Sequence, residues 1–174
     1  SNLASGIHFS SISYLYTNYA DWKSFDLTFY RSVALYGGIL AALLGGYLSD
    51  KVNSQLIIKI SHISLGFLCL LIAIHTNIIM NQFFGIGILL AFSFFNSFAL
   101  TAVLALCMKF SLSSYAASIF AIFMSTRHFS RILGETFAGI FDGFLNLTVS
   151  SIYLIAAFLC ILPLAFLNYS KPKV

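Results

Sequence analysis

Charged side chains are scarce in this sequence: Asp, Glu, Lys and Arg make up 8% of the 174 residues, whereas 60% are hydrophobic. Soluble domains carry about a quarter charged residues, which cover their water-facing surface. The shortage excludes an ordinary soluble globule. Residues 1–6 also lack the basic charges that precede the apolar core of a cleaved signal peptide.

Cysteine and the short motifs of intramembrane enzymes are sparse or absent. Cys69, Cys107 and Cys160 lie inside apolar segments without C-x-x-C spacing, which argues against a disulfide framework and against a zinc site. H-E-x-x-H and G-x-S do not occur. We therefore expect no enzyme, no cofactor and no metal. The 19 Phe and 9 Tyr do not follow a basic groove, so no nucleic-acid partner is expected either.

The sequence contains instead a series of apolar blocks of about 20 residues, the length that a helix needs to cross some 30 Å of hydrocarbon. Every backbone N–H and C=O must be paired there, and the alternation of a membrane barrel is missing, so the blocks predict helices. We predict one all-α domain over residues 1–174, a polytopic bundle of about six transmembrane helices. The predicted spans are 3–19, 32–48, 56–74, 83–106, 115–141 and 149–168.

The basic residues favour one side of the predicted bundle. By parity, the following lysines share a side: Lys51, Lys59, Lys109, Lys171 and Lys173. On the other side Lys23 and Arg31 are offset by Asp21 and Asp26. By the positive-inside rule the C-terminus is cytoplasmic. Richness in Ile, Phe, Asn and Ser is typical of AT-rich bacterial genomes, so we expect a bacterial inner membrane.

The turn after the second block carries a loop pattern of the form G-x-L-x-D-R/K-x-G-R/K-R/K. Four residues match it in register: Gly46, Leu48, Asp50 and Lys51. Asn53 replaces the second glycine, and Asn tolerates the left-handed conformation of a tight turn. We expect Gly45 and Gly46 to allow close helix approach, and Asp50 to bond the positive N-terminal end of a neighbouring helix. An ordinary polar turn is the alternative.

Three charged residues interrupt the fifth block. Arg127, Arg131 and Glu135 are spaced i, i+4, i+8 and share one helix face. A charge at bilayer depth costs at least about 2.5–3.5 kcal/mol, so this face is expected to line protein or a water-filled cavity. Arg131 can pair with Glu135 and leave Arg127 to hold an anionic group. Alternatively Glu135 exchanges a proton, or the charges form a structural salt bridge to a neighbouring helix.

The histidines are weighed separately, because histidine changes its charge most easily near neutral pH. His8 lies on the polar face of the first block and is expected to line a pore. His128 is expected to point away from the Arg127 face.

Together these segments resemble the major facilitator superfamily of secondary transporters, whose cytoplasmic gating loop has the pattern above. Residues 130–139 are similar to the eleventh helix of the AmpG-type muropeptide permeases and their acetyl-CoA transporter relatives, and residues 106–116 are similar to the segment before that helix. The resemblance implies the C-terminal half, helices 7–12, of a twelve-helix fold. It implies a gating loop at Gly46, Asp50 and Lys51. The charged face of the fifth block and the polar face of the first block predict the substrate or proton-coupling site at Arg127, Arg131, Glu135 and His8.

The resemblance also implies a function. We expect alternating-access transport of a small anionic solute such as a muropeptide, with proton symport as an option. A six-helix half supplies half a site, so the expected partners are the lipid bilayer, the solute, and a separate N-terminal half or a second copy. Ser1 in place of Met favours a piece of a longer chain. A non-transporting membrane scaffold or a truncated transporter remnant is the alternative.

Overall fold

The structure of the protein, a computed structural model, describes residues 2–110, 116–143 and 147–167. Within these ranges it contains six α-helices and no strand, which confirms the predicted fold class. The helices are α1 (Asn2–Tyr14), α2 (Ser24–Lys51), α3 (Ser54–Ile74), α4 (Gln82–Phe110), α5 (Ala116–Gly143) and α6 (Val149–Leu167). A π-helical turn, Leu15–Tyr19, continues α1, and a 3-10 turn, Thr76–Met80, precedes α4. Residues 111–115, part of the family resemblance, and the lysines at 171 and 173 lie outside these ranges.

Three of the helices are long and apolar enough to cross a membrane: α2, α3 and, over Gln82–Met108, α4. The described part of α6 is a shorter apolar helix. The spans predicted for α1 and α5 remain predictions, because α1 has 13 residues and α5 carries the charged residues of the fifth block.

The exterior of the bundle is apolar. Leu35, Leu43 and Phe67 are 67%, 68% and 63% exposed, and many other large apolar side chains are exposed as well. Soluble monomers rarely expose large contiguous apolar patches, whereas lipid tails accept them. The exterior therefore suits a bilayer better than water.

The second predicted block begins too late. It was placed at 32–48, whereas α2 begins at Ser24 and ends at Lys51. Asp26 and Arg31 lower the local hydropathy without breaking the helix, because both residue types are compatible with helical backbone. Arg31 consequently lies inside a helix, two turns from its start, and not in an external turn.

The helix contacts follow a two-fold pattern. The largest interfaces join α2 to α4, α1 to α5 and α3 to α6, and smaller ones join α3 to α4 and α1 to α6. Exchanging α1 with α4, α2 with α5 and α3 with α6 maps these five interfaces onto one another, whereas two weaker contacts, α2 with α3 and α4 with α5, fall outside the pattern. The first three helices and the last three are therefore packed as two units with equivalent neighbours.

The two units are inverted relative to each other. Ser5 of α1 donates to Asn96 of α4 over 2.9 Å, whereas Tyr16, in the turn that continues α1, donates to the carbonyl of Gly85, near the start of α4. Residue numbers thus rise along α1 as they fall along α4, and the exchange of these helices reverses the chain direction.

The α2–α4 interface shows whether Gly45 and Gly46 allow the close helix approach predicted for them. A methyl group at Gly45 would collide with the Thr101 hydroxyl and lie 3.1 Å from the Phe98 carbonyl oxygen, so Gly45 permits the close approach that was predicted. A methyl group at Gly46 would meet no atom within 4 Å. The prediction of close approach is wrong for Gly46, because this position is turned away from the neighbouring helices.

Candidate functional site

A cavity of about 230 Å³ lies between α1, α2, α4 and α5. Among the residues that the structure describes, none of α3 or α6 belongs to its lining. The polar and charged residues that line it are Asn2, Ser5, His8, Arg31, Ser93, Asn96, Arg127, His128 and Arg131. Three of the four residues predicted for a substrate or proton-coupling site, at positions 8, 127 and 131, are thus brought to one cavity by helices far apart in sequence.

Two arginines of the cavity meet on one aromatic ring. The guanidinium carbon of Arg31, from α2, lies 4.7 Å from the ring centroid of Phe9, and that of Arg131, from α5, lies 4.4 Å from the same centroid. Both distances are within the range of cation–π attraction. Phe9 of α1 therefore attracts both cations, which offsets part of their mutual repulsion.

Glu135 forms the ion pair that the spacing predicts. Arg131 Nε donates to Glu135 Oε1 over 3.0 Å, and the two side chains are 42% and 37% exposed. The pair lies within α5, and no ion pair links α5 to another helix among the residues that the structure describes. Glu135 itself does not line the cavity. In this structure Glu135 neutralises the positive charge of Arg131.

The cavity carries surplus positive charge. In the described part of the chain, neither Arg31 nor Arg127 has a carboxylate within the 4.0 Å of an ion pair. Arg31 Nη1 donates a long hydrogen bond of 3.4 Å to the Ser13 hydroxyl, which carries no charge. Because Arg131 is balanced by its partner, two cations remain to attract an anion.

His8 lies in the wall of the cavity rather than projecting into it. Its side chain is 4% exposed, its Nδ1 is hydrogen-bonded to the Tyr153 hydroxyl over 3.1 Å, and its ring stacks on Phe92 with centroids 3.5 Å apart. Residues from α6 and α4 thus hold the imidazole. His128 also lines the cavity. The expectation that its side chain points away from the Arg127 face stays a prediction.

Arg31, Phe9 and Asn96 are among the cavity residues that the sequence patterns do not identify. Hydropathy assigned Arg31 to an external turn. Arg31 lies three residues before Ala34 and seven before Gly38, so the three positions share one face of α2. Ala34 and Gly38 are small, buried residues that face α4, and the spacing therefore indicates that Arg31 lies on the same side. Nothing in the local sequence marks Phe9 or Asn96, because their roles come from residues on other helices.

The predicted gating loop lies at the end of α2, apart from the cavity lining. Lys51 Nζ is 4.6 Å from the ring centroid of Tyr47, and Lys51 and Asp50 are both exposed. No hydrogen bond or ion pair within the described ranges holds the Asp50 carboxylate, so the expected bond to a helix N-terminus is not present in this structure.

Asn53 takes that place instead. It has φ −162° and ψ 120°, an extended conformation, and its side chain accepts a hydrogen bond of 2.9 Å from the Gln55 N–H. The expected left-handed conformation is therefore wrong. Asn is among the best N-cap residues, and capping α3 satisfies an N–H that would otherwise lack a partner.

The described residues thus define a helical bundle with an arginine-lined cavity. Comparison with protein-family models, with curated proteins and with solved structures gives no match for this chain. The residues of the cavity and the patterns in the sequence are the basis for the functional proposal.

Proposed function

We propose that the chain is a membrane-embedded half of a secondary transporter of the major facilitator type, and that it carries a small anionic solute by alternating access. The observation that carries the proposal is the cluster of Arg31, Arg127 and Arg131 around one cavity of an apolar bundle. Ionisable residues at such depth are costly and typically mark a solute or ion pathway. Because all three side chains are positively charged, the solute that they attract is an anion.

The inverted pattern of the helix contacts supports the same proposal. Each six-helix half of a major facilitator transporter contains two three-helix repeats of inverted topology. Contacts that survive the exchange of α1–α3 with α4–α6, together with the opposite directions of α1 and α4, are what such repeats produce. The loop pattern at Gly46, Asp50 and Lys51 adds to this support from the sequence.

The size of the cavity fits half of a site. Ligand pockets span about 300–1,000 Å³, and the cavity has about 230 Å³. Substrate sites in this type of transporter lie at the interface of repeats near the bilayer midplane. We propose that a separately encoded N-terminal half or a second copy of the chain completes the site. The solute would resemble a muropeptide in charge, and the C-terminus would face the cytoplasm of a bacterial cell.

The proposal is tested by solute counterflow into proteoliposomes that contain the full chain. Anionic muropeptides, peptides and acyl-CoA-like anions serve as solutes. Arg127→Ala and Arg131→Ala are expected to abolish uptake and to leave membrane insertion intact. Lys23→Ala is the control, because Lys23 is exposed at the start of α2 and lies outside the cavity.

The outcomes separate the alternatives. Full uptake by both arginine variants would overturn the role assigned to the cavity. An inserted, folded chain that transports none of the solutes, alone or with a complementing half, would favour the scaffold or the transporter remnant.

A further inference from the structure

The charge balance of the cavity narrows the class of solute, and this step rests on the proposed function. We infer that the cavity takes a ligand with two negative charges, one for Arg31 and one for Arg127. The ligand is either a phosphate monoester dianion or a dicarboxylate, which share the same chemistry of two charges on acceptor oxygens.

Within the described ranges, two of the three arginines of the cavity lack a counter-charge. Arg131 is paired with Glu135 over 3.0 Å, whereas Arg31 and Arg127 have no carboxylate partner among the described residues. A cation without a counter-charge is unfavourable inside an apolar bundle, and bringing in its counter-charge removes this penalty. A monoanion would leave one guanidinium uncompensated, and a dianion compensates both.

The charged hydrogen-bonding groups of the cavity are donors. The Ser5 hydroxyl donates to Asn96 Oδ1 over 2.9 Å, and the Ser93 hydroxyl donates to the Ala34 carbonyl over 2.7 Å. The amide N–H groups of Asn96 and the guanidinium N–H groups remain as donors, beside Asn2 and His128, whose side chains can donate or accept. The guanidinium donors fit a ligand group that only accepts, as ionised carboxylates and phosphates do.

The three arginines lie around one cavity. The guanidinium carbons of Arg31 and Arg131 lie 4.7 and 4.4 Å from the ring centroid of Phe9, so their separation cannot exceed the sum of these two distances. Arg127 precedes Arg131 by one helical turn on the same face and lines the same cavity of about 230 Å³. A ligand in that cavity would therefore face arginines from both α2 and α5.

The experiment measures equilibrium binding of labelled ligands to the full chain in liposomes of phosphatidylcholine, a lipid without net charge. The ligands form two matched pairs, phenylphosphate with methyl phenylphosphate and succinate with its monoamide. At about pH 8 a phosphate monoester is a dianion, since its second ionisation lies near 6. The dianion of at least one pair is expected to bind about tenfold more tightly than its monoanionic counterpart.

The variants test which residues recognise the second negative charge of the ligand. Arg31→Gln and Arg127→Gln are each expected to remove most of that preference, whereas Arg127→Lys retains it because the charge is kept. Lys23→Gln is the matched control at an exposed position. Circular dichroism of each variant shows whether the helices are intact, and the lysine variant keeps the test decisive if one glutamine variant fails to fold.

Each outcome is decisive. Equal binding of monoanion and dianion in both pairs overturns the inference and leaves anion transport standing. Failure of every anion to bind, both to the chain alone and to the chain with a complementing half, overturns the inference together with the proposed function. A second series, in liposomes with added phosphatidylglycerol and with enough salt to screen the surface charge of the lipid, detects lipid binding. Loss of ligand binding there would show that the arginines hold a lipid phosphate, which also overturns the inference.

Discussion

Gly6 of α1 and Gly134 of α5 bring the backbones of their helices into direct contact. A methyl group at Gly6 would overlap the Arg131 carbonyl oxygen and lie 3.0 Å from Gly134 Cα, and a methyl group at Gly134 would overlap the Leu3 carbonyl oxygen and lie 3.1 Å from Gly6 Cα. Phe9 and Arg131, which meet at 4.4 Å, are each about one turn from this contact. The glycine pair therefore sets the separation of the helices that form one side of the cavity.

Gly6→Ala and Gly134→Ala are each expected to lower the free energy of unfolding by about 1–3 kcal/mol, because a methyl group would force two backbones apart. Unfolding by SDS in mixed micelles, followed by circular dichroism, measures the change. Anion binding to the cavity should weaken in parallel, since Phe9 would move relative to Arg131.

Gly139→Ala is the control for this pair. Gly139 also lies in α5, but a methyl group there would meet no atom within 4 Å. Alanine is the better helix former by up to about 1 kcal/mol, so this variant should be neutral or more stable. A loss of stability at Gly139 as large as the loss at Gly134 would contradict the packing described here.

A second matched pair of glycines lies in α2. Gly45→Ala is expected to destabilise the chain, because the Phe98 carbonyl is 3.1 Å from the added methyl group and a backbone oxygen cannot turn aside. Gly46→Ala should have little effect on the free energy of unfolding. The comparison is informative because Gly46, not Gly45, is the glycine of the loop pattern. If Gly46→Ala were the more damaging change, α2 would have to face α4 through a different surface.

The bond between His8 and Tyr153 offers a test of the cavity wall. Tyr153→Phe leaves the buried His8 Nδ1 without its partner at 3.1 Å and is expected to cost about 1–3 kcal/mol in the free energy of unfolding. His8→Phe combined with Tyr153→Phe should cost less than the sum of the two single changes, because neither polar group is then left buried alone. Additive costs in this double-mutant cycle would show that the hydrogen bond does not contribute.

Much of the fold could be predicted from hydropathy, because the cost of unpaired backbone groups in lipid leaves few alternatives to helices. The third to sixth blocks agree with the helices that begin at Ser54, Gln82, Ala116 and Val149 to within a few residues. The start of α2 was missed because hydropathy detects apolar length and not helix ends. Polar residues such as Asp26 remain helical beyond the apolar block.

The cavity could be predicted only in part. The i, i+4, i+8 spacing identified Arg131 and Glu135 as a pair, since that relation is local to one helix. The meeting of Arg31 with Arg131 on Phe9 depends on which helices pack together, and no local pattern specifies that. Asn53 shows a further limit: the same residue type suits a left-handed turn and an N-cap, and the position of the following helix decided between them.

Glu135→Gln is expected to change the charge of the cavity while leaving the free energy of unfolding nearly unchanged. The Arg131–Glu135 pair is about two-fifths exposed, so its loss should change the free energy of unfolding by no more than about 1 kcal/mol. The surplus of positive charge in the cavity would rise, and a dianion should bind several-fold more tightly, as equilibrium binding in liposomes would measure. If Glu135 also carries the coupling proton, its glutamine variant should make uptake independent of an imposed pH gradient.

The control for this change is Asp21→Asn, which also removes one negative charge. Asp21 is exposed, lies outside the cavity lining, and has φ 55°, a left-handed conformation that Asn adopts readily. Its replacement should alter neither the stability nor the anion affinity. An equal gain in affinity from both variants would mean that the overall charge of the chain attracts the anion. A gain confined to Glu135→Gln would mean that the field acts within the cavity, because Glu135 offsets the charge of Arg131, which lines the cavity.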